Sequence, residues 1–264
     1  MKVFIFYAVI KYMRVFYMTN KRGLPVTKWG YSNPIISPLY PPPPIIWKDV
    51  EVLLVLYETD EENIWKVIPE PLEVAGNKVI AWISYFPAST QGTFYEAALY
   101  VQVKYGNYVG VYEPFLYVTS EVPLCGGREI WGYQKKLANI TLRRDPNIGI
   151  AVGEVERGGV KIIKAFTHME RAASFDELPF GPIFSLKYIP PSEEGGKPFA
   201  ELIVVDGGER KVKYLFAGKS TLILEKSEAD PTYILEPKRV IAGYYGVLET
   251  LTLPYGKVVY RYSF

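Results

Sequence analysis

Apolar and alternating segments of strand length, separated by short Gly-rich turns, make up most of the chain. Residues 50–58 (VEVLLVLYE) form a β-branched apolar run of the length typical of a buried strand. The turn signal Gly106-Asn107 lies between two such segments and predicts a hairpin. Further strands are predicted over 78–86, 93–104, 108–119, 149–156, 159–167, 183–189, 199–206, 209–216, 219–225, 239–251 and 256–263.

Helical periodicity is scarce. Thr59 and Glu62 have the spacing of a capping box, which predicts a short helix through Val67. Pro69 then ends the helical pattern. We therefore expect residues 19–264 to form one mainly β (α+β) domain. Its antiparallel sheet would be curled or closed into a barrel or cone, with a few short helices.

The first eighteen residues are apolar and aromatic but include three cations. The apolar run between charges, Val3 to Ile10, has 8 residues, whereas a membrane-spanning helix needs about 20. Residues 1–18 are interpreted as an N-terminal extension, or as the result of a start codon assigned upstream of Met18. An amphipathic membrane anchor is the alternative. We expect a cytoplasmic protein without a membrane partner.

Composition excludes several classes of function. One cysteine, Cys125, and one histidine, His168, exclude a disulfide framework and a multi-histidine or multi-cysteine metal centre. The formal net charge of +2 gives no basic footprint for nucleic acid. No Asn or Gln occurs from residue 148 to the end, which is typical of a thermophile.

The segment that carries chemistry is residues 126–137, GGREIWGYQKKL. Lys135 and Lys136 follow the aromatic Tyr133 among apolar and small residues. If the backbone is extended there, only one of the two lysines enters a given pocket. Burial of a lysine in an apolar cavity favours the neutral amine, which can attack a ketone and form a Schiff base. The alternative is a surface Lys-Lys pair after a buried aromatic residue.

The segment GREIWGYQKKL resembles the signature of the acetoacetate decarboxylase family. The resemblance extends to residues 57–74 and to the pair Tyr95-Glu96, and it covers about residues 35–263. It implies that Lys135 is the Schiff-base lysine and that Lys136, its neighbour, belongs to the catalytic residues with it. It also implies that Arg128 and Glu129 form the signature pair, which we expect to brace the turn.

Glu96 matches the family's active-site carboxylate, which handles protons near the imine. The residue pattern supports this independently. On the strand over 93–104, Ala97 and Leu99 belong to one apolar face, whereas Glu96 lies on the other face beside aromatic residues. A carboxylate in such surroundings is partly desolvated and can exchange protons near the substrate.

The chain departs from the family's pattern at three positions. Val50 stands where the family's acetoacetate enzymes carry Arg. Trp82 stands at about the position where they carry Glu, and Gln134 replaces the Pro before the lysine pair. Lys48 lies two residues before Val50 and is predicted to share its strand face, so it could supply the missing cation. Substrate contacts are expected from Tyr133, Trp82 and Lys48.

The resemblance implies a lysine-imine enzyme that acts on a small β-keto acid or ketone. We expect decarboxylation of acetoacetate or a related keto acid, without cofactor or metal, by a homo-oligomer. One alternative is aldolase or dehydratase chemistry through the same imine. The other is a non-catalytic β barrel that binds an apolar ligand.

Overall fold

The computed structural model describes residues 23–264. By their contacts, the described residues fall into two units, 23–38 and the larger Leu39–Phe264. Residues 23–38 contain one short 3-10 helix, Val26–Lys28. The expectations about residues 1–18 lie outside the described residues. No helix in the described part of the chain has the length and apolar character needed to cross a membrane.

The larger unit is mainly β, as predicted, with two short α-helices, α1 (Glu61–Trp65) and α2 (Glu121–Gly126). A π-helical turn, Gly127–Trp131, continues α2, and 3-10 turns cover Phe175–Glu177 and Thr232–Leu235. The strands are β1 (Ile45–Glu58), β2 (Glu73–Phe86), β3 (Ala88–Ser89), β4 (Phe94–Tyr105), β5 (Tyr108–Val118), β6 (Lys135–Leu137), β7 (Asn139–Asp145), β8 (Ile150–Arg157), β9 (Val160–His168), β10 (Arg171–Ala172), β11 (Ile183–Ile189), β12 (Phe199–Val205), β13 (Arg210–Gly218), β14 (Ser220–Leu224), β15 (Arg239–Leu253) and β16 (Lys257–Arg261).

The strands form a twelve-stranded sheet and a four-stranded sheet. The large sheet has the order β10-β13-β15-β1-β2-β4-β5-β11-β12-β16, with β3 on β1 and β6 on β5. The small sheet has the order β14-β9-β8-β7. Pairing is antiparallel except that β5 pairs in parallel with β6 and β11. The path of the large sheet is open, with β10 and β16 at its ends, so the expected closed barrel is not observed among the described residues.

The two faces of the large sheet belong to two different hydrophobic cores. On β4, Ala97 and Leu99 pack into a first core shared with the small sheet. Phe94 and Tyr100 on the opposite face pack into a second core. The predicted alternation of this strand is therefore confirmed. The second core is rich in large aromatic residues, and the candidate site lies on its side of the sheet.

The predicted capping box at Thr59 is wrong in its details. Helix α1 begins at Glu61 with Asp60 as its N-cap, and no side chain caps it. The Thr59 hydroxyl instead donates to the backbone carbonyl of Glu236, 2.9 Å away. The tertiary contact replaces the local cap that the sequence spacing suggested. The hairpin at Gly106-Asn107 is confirmed, because Tyr105 pairs with Tyr108 across it.

Candidate active site

A cavity of about 330 Å³ opens on the second-core side of the large sheet. Its walls combine aromatic residues of several strands with a small number of charged groups, the usual character of a small-molecule site. The lining residues are Trp47, Trp82, Phe86, Glu96, Tyr100, Leu116, Tyr133, Lys135, Phe180, Gly181, Pro182, Ile183, Val205, Asp206, Gly207, Gly208, Glu209, Arg210, Leu251, Thr252 and Leu253.

The π-helical turn delivers the lysine segment to this cavity. The backbone N–H groups of Gly132 and Tyr133 both donate to the carbonyl of Gly127, at 3.0 and 3.1 Å. Gly132 ends the turn with a φ of 82°, a left-handed conformation that glycine adopts without strain. It also lies so close to the backbone of Lys187 that a side chain there would overlap it. Such widened turns occur often at functional sites.

Lys135 and Glu96 meet inside the cavity. The Lys135 Nζ atom lies 2.8 Å from Glu96 Oε2, and the two side chains are only 8% and 13% exposed. Lys135 is the first residue of β6 and pairs with Leu116 of β5, while Glu96 lies on β4, the strand on the other side of β5. Both side chains lie on the cavity side of the sheet.

Lys136 points away from the cavity, as the alternation of an extended segment requires. Its Nζ atom donates to Asp230 Oδ1 at 2.8 Å and to the carbonyl of Ala229 at 3.0 Å. Arg157 also donates to Asp230, which is buried. The structure thus separates the two lysines: Lys135 lies in the cavity, and Lys136 belongs to a charged cluster outside it.

Arg128 and Glu129 make contacts that hold the lysine segment in place. Arg128 Nη1 donates to the backbone carbonyl of Lys135 at 3.2 Å. The Glu129 carboxylate accepts from the Tyr40 hydroxyl at 2.5 Å. Neither residue lines the cavity. These contacts fit the bracing expected of the signature pair.

Tyr133 and Trp82 both line the cavity, as expected for substrate-contacting residues. Burial raises the pKa of Tyr133 well above its usual value, and the nearby Glu113 and Glu96 add to this. The phenol therefore stays protonated at neutral pH. Trp82 donates from Nε1 to Ser84 Oγ at 2.8 Å, which fixes the indole as a wall of the cavity.

Lys48 does not line the cavity, and the prediction that it shares a strand face with Val50 is wrong. Its exposed side chain donates to Thr250 Oγ1 at 2.7 Å. The cause is Asp49, whose φ of 51° shifts the alternation of β1. Trp47 and Val50 both belong to the second core although they are three residues apart.

Glu113 is a buried carboxyl group near the site, and no pattern in the sequence indicated it. Leu99 pairs with Phe115 and Val101 with Tyr112, so Glu113 and Pro114 form a β-bulge opposite Tyr100. A bulge reverses the alternation, and it explains why Val111 and Leu116 belong to the same core.

The surroundings of Glu113 favour its neutral form. The side chain is fully buried, and neither carboxylate oxygen has a hydrogen-bond partner among the described residues. Burial raises the pKa of Glu113 well above its usual value; Glu96 adds to the rise, while its own backbone N–H and Lys135 oppose it. Burial is the dominant effect, and it favours the neutral carboxyl group over the carboxylate.

Arg210 also lines the cavity and was not predicted. It is the first residue of β13, and its guanidinium carbon lies 4.2 Å from the ring centroid of Phe175 and 4.9 Å from that of Phe180. Desolvation lowers the pKa of Arg210, and Tyr100 and Asp176 act in the opposite direction. No cluster of three or more metal-ligating side chains occurs within residues 23–264.

The chain resembles known proteins over almost its whole length. The family model described as "Acetoacetate decarboxylase (ADC)" matches residues 24–263. Acetoacetate decarboxylase of Acidiphilium cryptum is 29% identical over 243 residues, which is 90% of this chain and 97% of that protein. The corresponding protein of Burkholderia vietnamiensis is 30% identical over 238 residues, covering 88% of this chain and 95% of the relative.

Structural similarity agrees with the sequence match. A solved acetoacetate decarboxylase structure superimposes with a TM-score of 0.83 and 26% identity, covering 90% of this chain and 99% of the other. These matches identify the chain as an enzyme of the carboxy-lyase class. The chain belongs to the acetoacetate decarboxylase family.

Proposed function

We propose that the protein decarboxylates a β-keto acid through an imine on Lys135. The observation that carries this proposal is the 2.8 Å contact between Lys135 Nζ and Glu96 Oε2 inside a mostly aromatic cavity. A buried amine is a nucleophile for ketones, and a carboxylate within hydrogen-bond distance can move its protons. In this proposal Lys136 is not the nucleophile, because its side chain is bound to Asp230 outside the cavity.

The proposed reaction balances with the residues present. Glu96 takes a proton from the Lys135 ammonium, and the neutral amine attacks the ketone carbon. The attacking nitrogen passes one of its protons to the carbonyl oxygen, and Glu96 returns the first proton to the resulting hydroxyl group, which leaves as water. An iminium ion remains. Loss of CO2 leaves the electron pair of the broken C–C bond in an enamine. A proton from solvent, passed through Glu96, forms the new C–H bond, and water then releases the ketone and restores the lysine ammonium.

The cavity favours the bond-breaking step. Decarboxylation converts a charged carboxylate into neutral CO2, so an environment that solvates charge poorly favours the product side. Trp82, Tyr100 and Leu116 supply such an environment next to Glu96 and Lys135. Tyr133 lies within the same wall, with the Lys135 Nζ atom 5.8 Å from its ring centroid.

The relatives named acetoacetate decarboxylase support acetoacetate or a related keto acid as substrate. Trp82 stands where the family pattern carries Glu, and it gives the cavity an aromatic wall there. Val50 is buried in the second core where that pattern carries Arg. These replacements favour a substrate with an apolar substituent over acetoacetate itself.

Reductive trapping tests the proposal. The protein is incubated with acetoacetate and with longer β-keto acids, cyanoborohydride is added, and the adduct is located by peptide mass. We expect an adduct on Lys135, its loss in Lys135→Met and its retention in the matched control Lys136→Met. Ketone and CO2 should appear in the absence of reductant.

The alternatives give different results. An adduct without CO2 release would favour the aldolase or dehydratase chemistry that remains open for this family. Absence of any adduct would favour a binding protein for apolar ligands. A homo-oligomeric state and a cytoplasmic location stay predictions, and light scattering of the purified chain tests the first of them.

A further inference from the structure

Arg210 is an exposed charged side chain that lies against two aromatic rings. It lies at the start of β13, where the chain enters from the turn Gly207-Gly208, and it lines the cavity. Its guanidinium carbon is 4.2 Å from the centroid of Phe175 and 4.9 Å from that of Phe180. Aromatic faces hold a guanidinium in place without using its N–H donors.

The Arg210 guanidinium has no counterion within the part of the chain that the structure describes. None of the ion pairs or side-chain hydrogen bonds found for residues 23–264 involves Arg210, although Asp206 and Glu209 also lie at the cavity rim. The charge of Asp176 raises the pKa of Arg210, but no ion pair joins the two among the described residues. By contrast, Lys135 is paired with Glu96. Arg210 is therefore the unpaired cation among the described lining residues.

An unpaired guanidinium at the mouth of a cavity is suited to a carboxylate. Its planar fork can donate two parallel N–H···O bonds, and such charge-assisted bonds are stronger than hydrogen bonds between neutral groups. The adjoining wall of Trp82, Tyr100 and Phe180 is apolar, with ring centroids of neighbouring pairs 5.1–6.2 Å apart. At about 330 Å³, the cavity falls in the range of roughly 300–1,000 Å³ that accommodates ligands larger than a four-carbon acid.

We infer that Arg210 binds a carboxylate of the ligand, and that the ligand is a keto acid with an apolar substituent lying on the wall of Trp82, Tyr100 and Phe180. This inference rests on the proposed lysine-imine function, which places the ketone at Lys135. The carboxylate is then recognised by a residue of β13. The family pattern would place a cation on β1 instead, and β15 lies between these two strands.

Two probes with the same carbon skeleton test the inference. Levulinate carries a carboxylate and a ketone, and methyl levulinate carries the same ketone without the charge. The concentration that gives half-maximal labelling of Lys135 with cyanoborohydride is measured for both. We expect levulinate to label at a concentration lower by about 10-fold, the effect typical of a charge-assisted hydrogen bond.

Arg210→Met should raise the half-maximal concentration of levulinate by about 10-fold or more, and that of methyl levulinate by less than about 3-fold. Arg210→Lys, which keeps the charge but loses the fork, should give an intermediate value. The matched control is Lys211→Met, which removes the next cation on β13. That lysine is exposed, pairs with Glu249 and does not line the cavity, so neither concentration should change.

A binding measurement separates this inference from the imine chemistry. Trp47 and Trp82 line the cavity, so tryptophan fluorescence reports occupancy without a covalent step. Hexanoate should perturb the fluorescence of the native protein more strongly than hexanol, and Arg210→Met should remove the difference. If neither probe labels Lys135, the result contradicts the proposed lysine-imine function but not the carboxylate site. Equal binding of hexanoate and hexanol, or equal effects of Arg210→Met on both probes, would overturn the carboxylate site.

Discussion

Gly127 makes room for the side chain of Lys135. A Cβ atom on Gly127 would lie 2.7 Å from both Cδ and Cε of Lys135 and 3.2 Å from its Nζ atom. The backbone of Gly127 is helical, with φ −62° and ψ −46°, so alanine is compatible with the turn itself. Glycine is therefore needed at position 127 to leave space for the Lys135 side chain. The backbone conformation of the turn does not require it.

Gly127→Ala should therefore separate stability from activity. We expect stability to change by no more than about 1 kcal/mol, with a gain possible because alanine favours helical backbone. Turnover should fall by about 10-fold or more, because a shift of an ångström in a reacting group can cost about 100-fold. Urea unfolding and the rate of Lys135 labelling check the two halves of the prediction.

Gly126→Ala is the control for Gly127→Ala. A Cβ there would meet the ring of Tyr40 at 3.2 Å and Gln91 at 3.3 Å, away from Lys135. It should cost more stability and disturb the labelling rate less. If Gly126→Ala slows labelling as much as Gly127→Ala does, the steric argument about Lys135 is wrong.

Glu96→Gln tests the proton-transfer role of the carboxylate. The amide keeps the shape of the side chain but cannot carry protons between the lysine, the departing water and the enamine. We expect kcat to fall by about 100- to 10,000-fold. Prolonged incubation with cyanoborohydride should still label Lys135, because the nucleophile remains.

Glu51→Gln is the comparison for Glu96→Gln, since Glu51 accepts from Tyr245 outside the cavity lining. Its kcat should match that of the native protein. A Glu96→Gln protein with unchanged kcat would remove Glu96 from the mechanism and leave solvent as the proton carrier.

The long strands were predictable because their alternation is set by burial on one or two faces. The segment 183–189 was predicted with its observed bounds, and β15 was missed only in its last two residues. Strand β6 was missed because three residues, two of them lysines, give no strand pattern. Its strand character comes from parallel pairing with β5, which no local pattern reveals.

Site residues that belong to a sequence motif could be predicted. Residues whose side-chain direction depends on an irregular backbone could not. Lys135, Glu96, Tyr133 and Trp82 lie together at the cavity. Glu113 was not found because the bulge that contains it interrupts the alternation of β5, and bulges leave little trace in a sequence. Lys48 was misplaced for the same kind of reason, a left-handed residue at Asp49.

The strained residue at position 49 leads to a prediction about stability. Asp49 has a φ of 51°, a conformation that costs most residues about 1–2 kcal/mol and that Asp and Asn tolerate. Asp49→Val should lower the free energy of unfolding by about 1–2 kcal/mol, whereas Asp49→Asn should be nearly neutral. Urea unfolding of the two variants measures the difference.

Lys213→Met separates the backbone effect at Asp49 from the ion pair of its side chain. Lys213 contacts Asp49 at 3.1 Å, and both side chains are more than half exposed. Its removal should change the free energy of unfolding by less than about 1 kcal/mol. A loss in Lys213→Met equal to that in Asp49→Val would attribute the effect to the ion pair.

Glu113 leads to a prediction about the pH dependence of stability. Burial raises the pKa of this carboxyl in the folded protein, so its contribution to stability is fully present below the ordinary carboxyl pKa. As the pH rises above that value, the unfolded chain loses the proton while the folded protein keeps it. The free energy of unfolding therefore falls by up to about 1.4 kcal/mol per pH unit in this window.

Glu113→Gln should remove this slope, because the amide does not titrate. The variant should gain stability relative to the native protein as the pH rises above the ordinary carboxyl pKa. Urea unfolding at a series of pH values measures the difference. Glu194→Gln, at an exposed turn position, is the matched control. Its free energy of unfolding should depend on pH in the same way as that of the native protein. If Glu113→Gln also runs parallel to it, Glu113 is ionised in the folded state, and its charge must be compensated by Lys135 across the cavity wall.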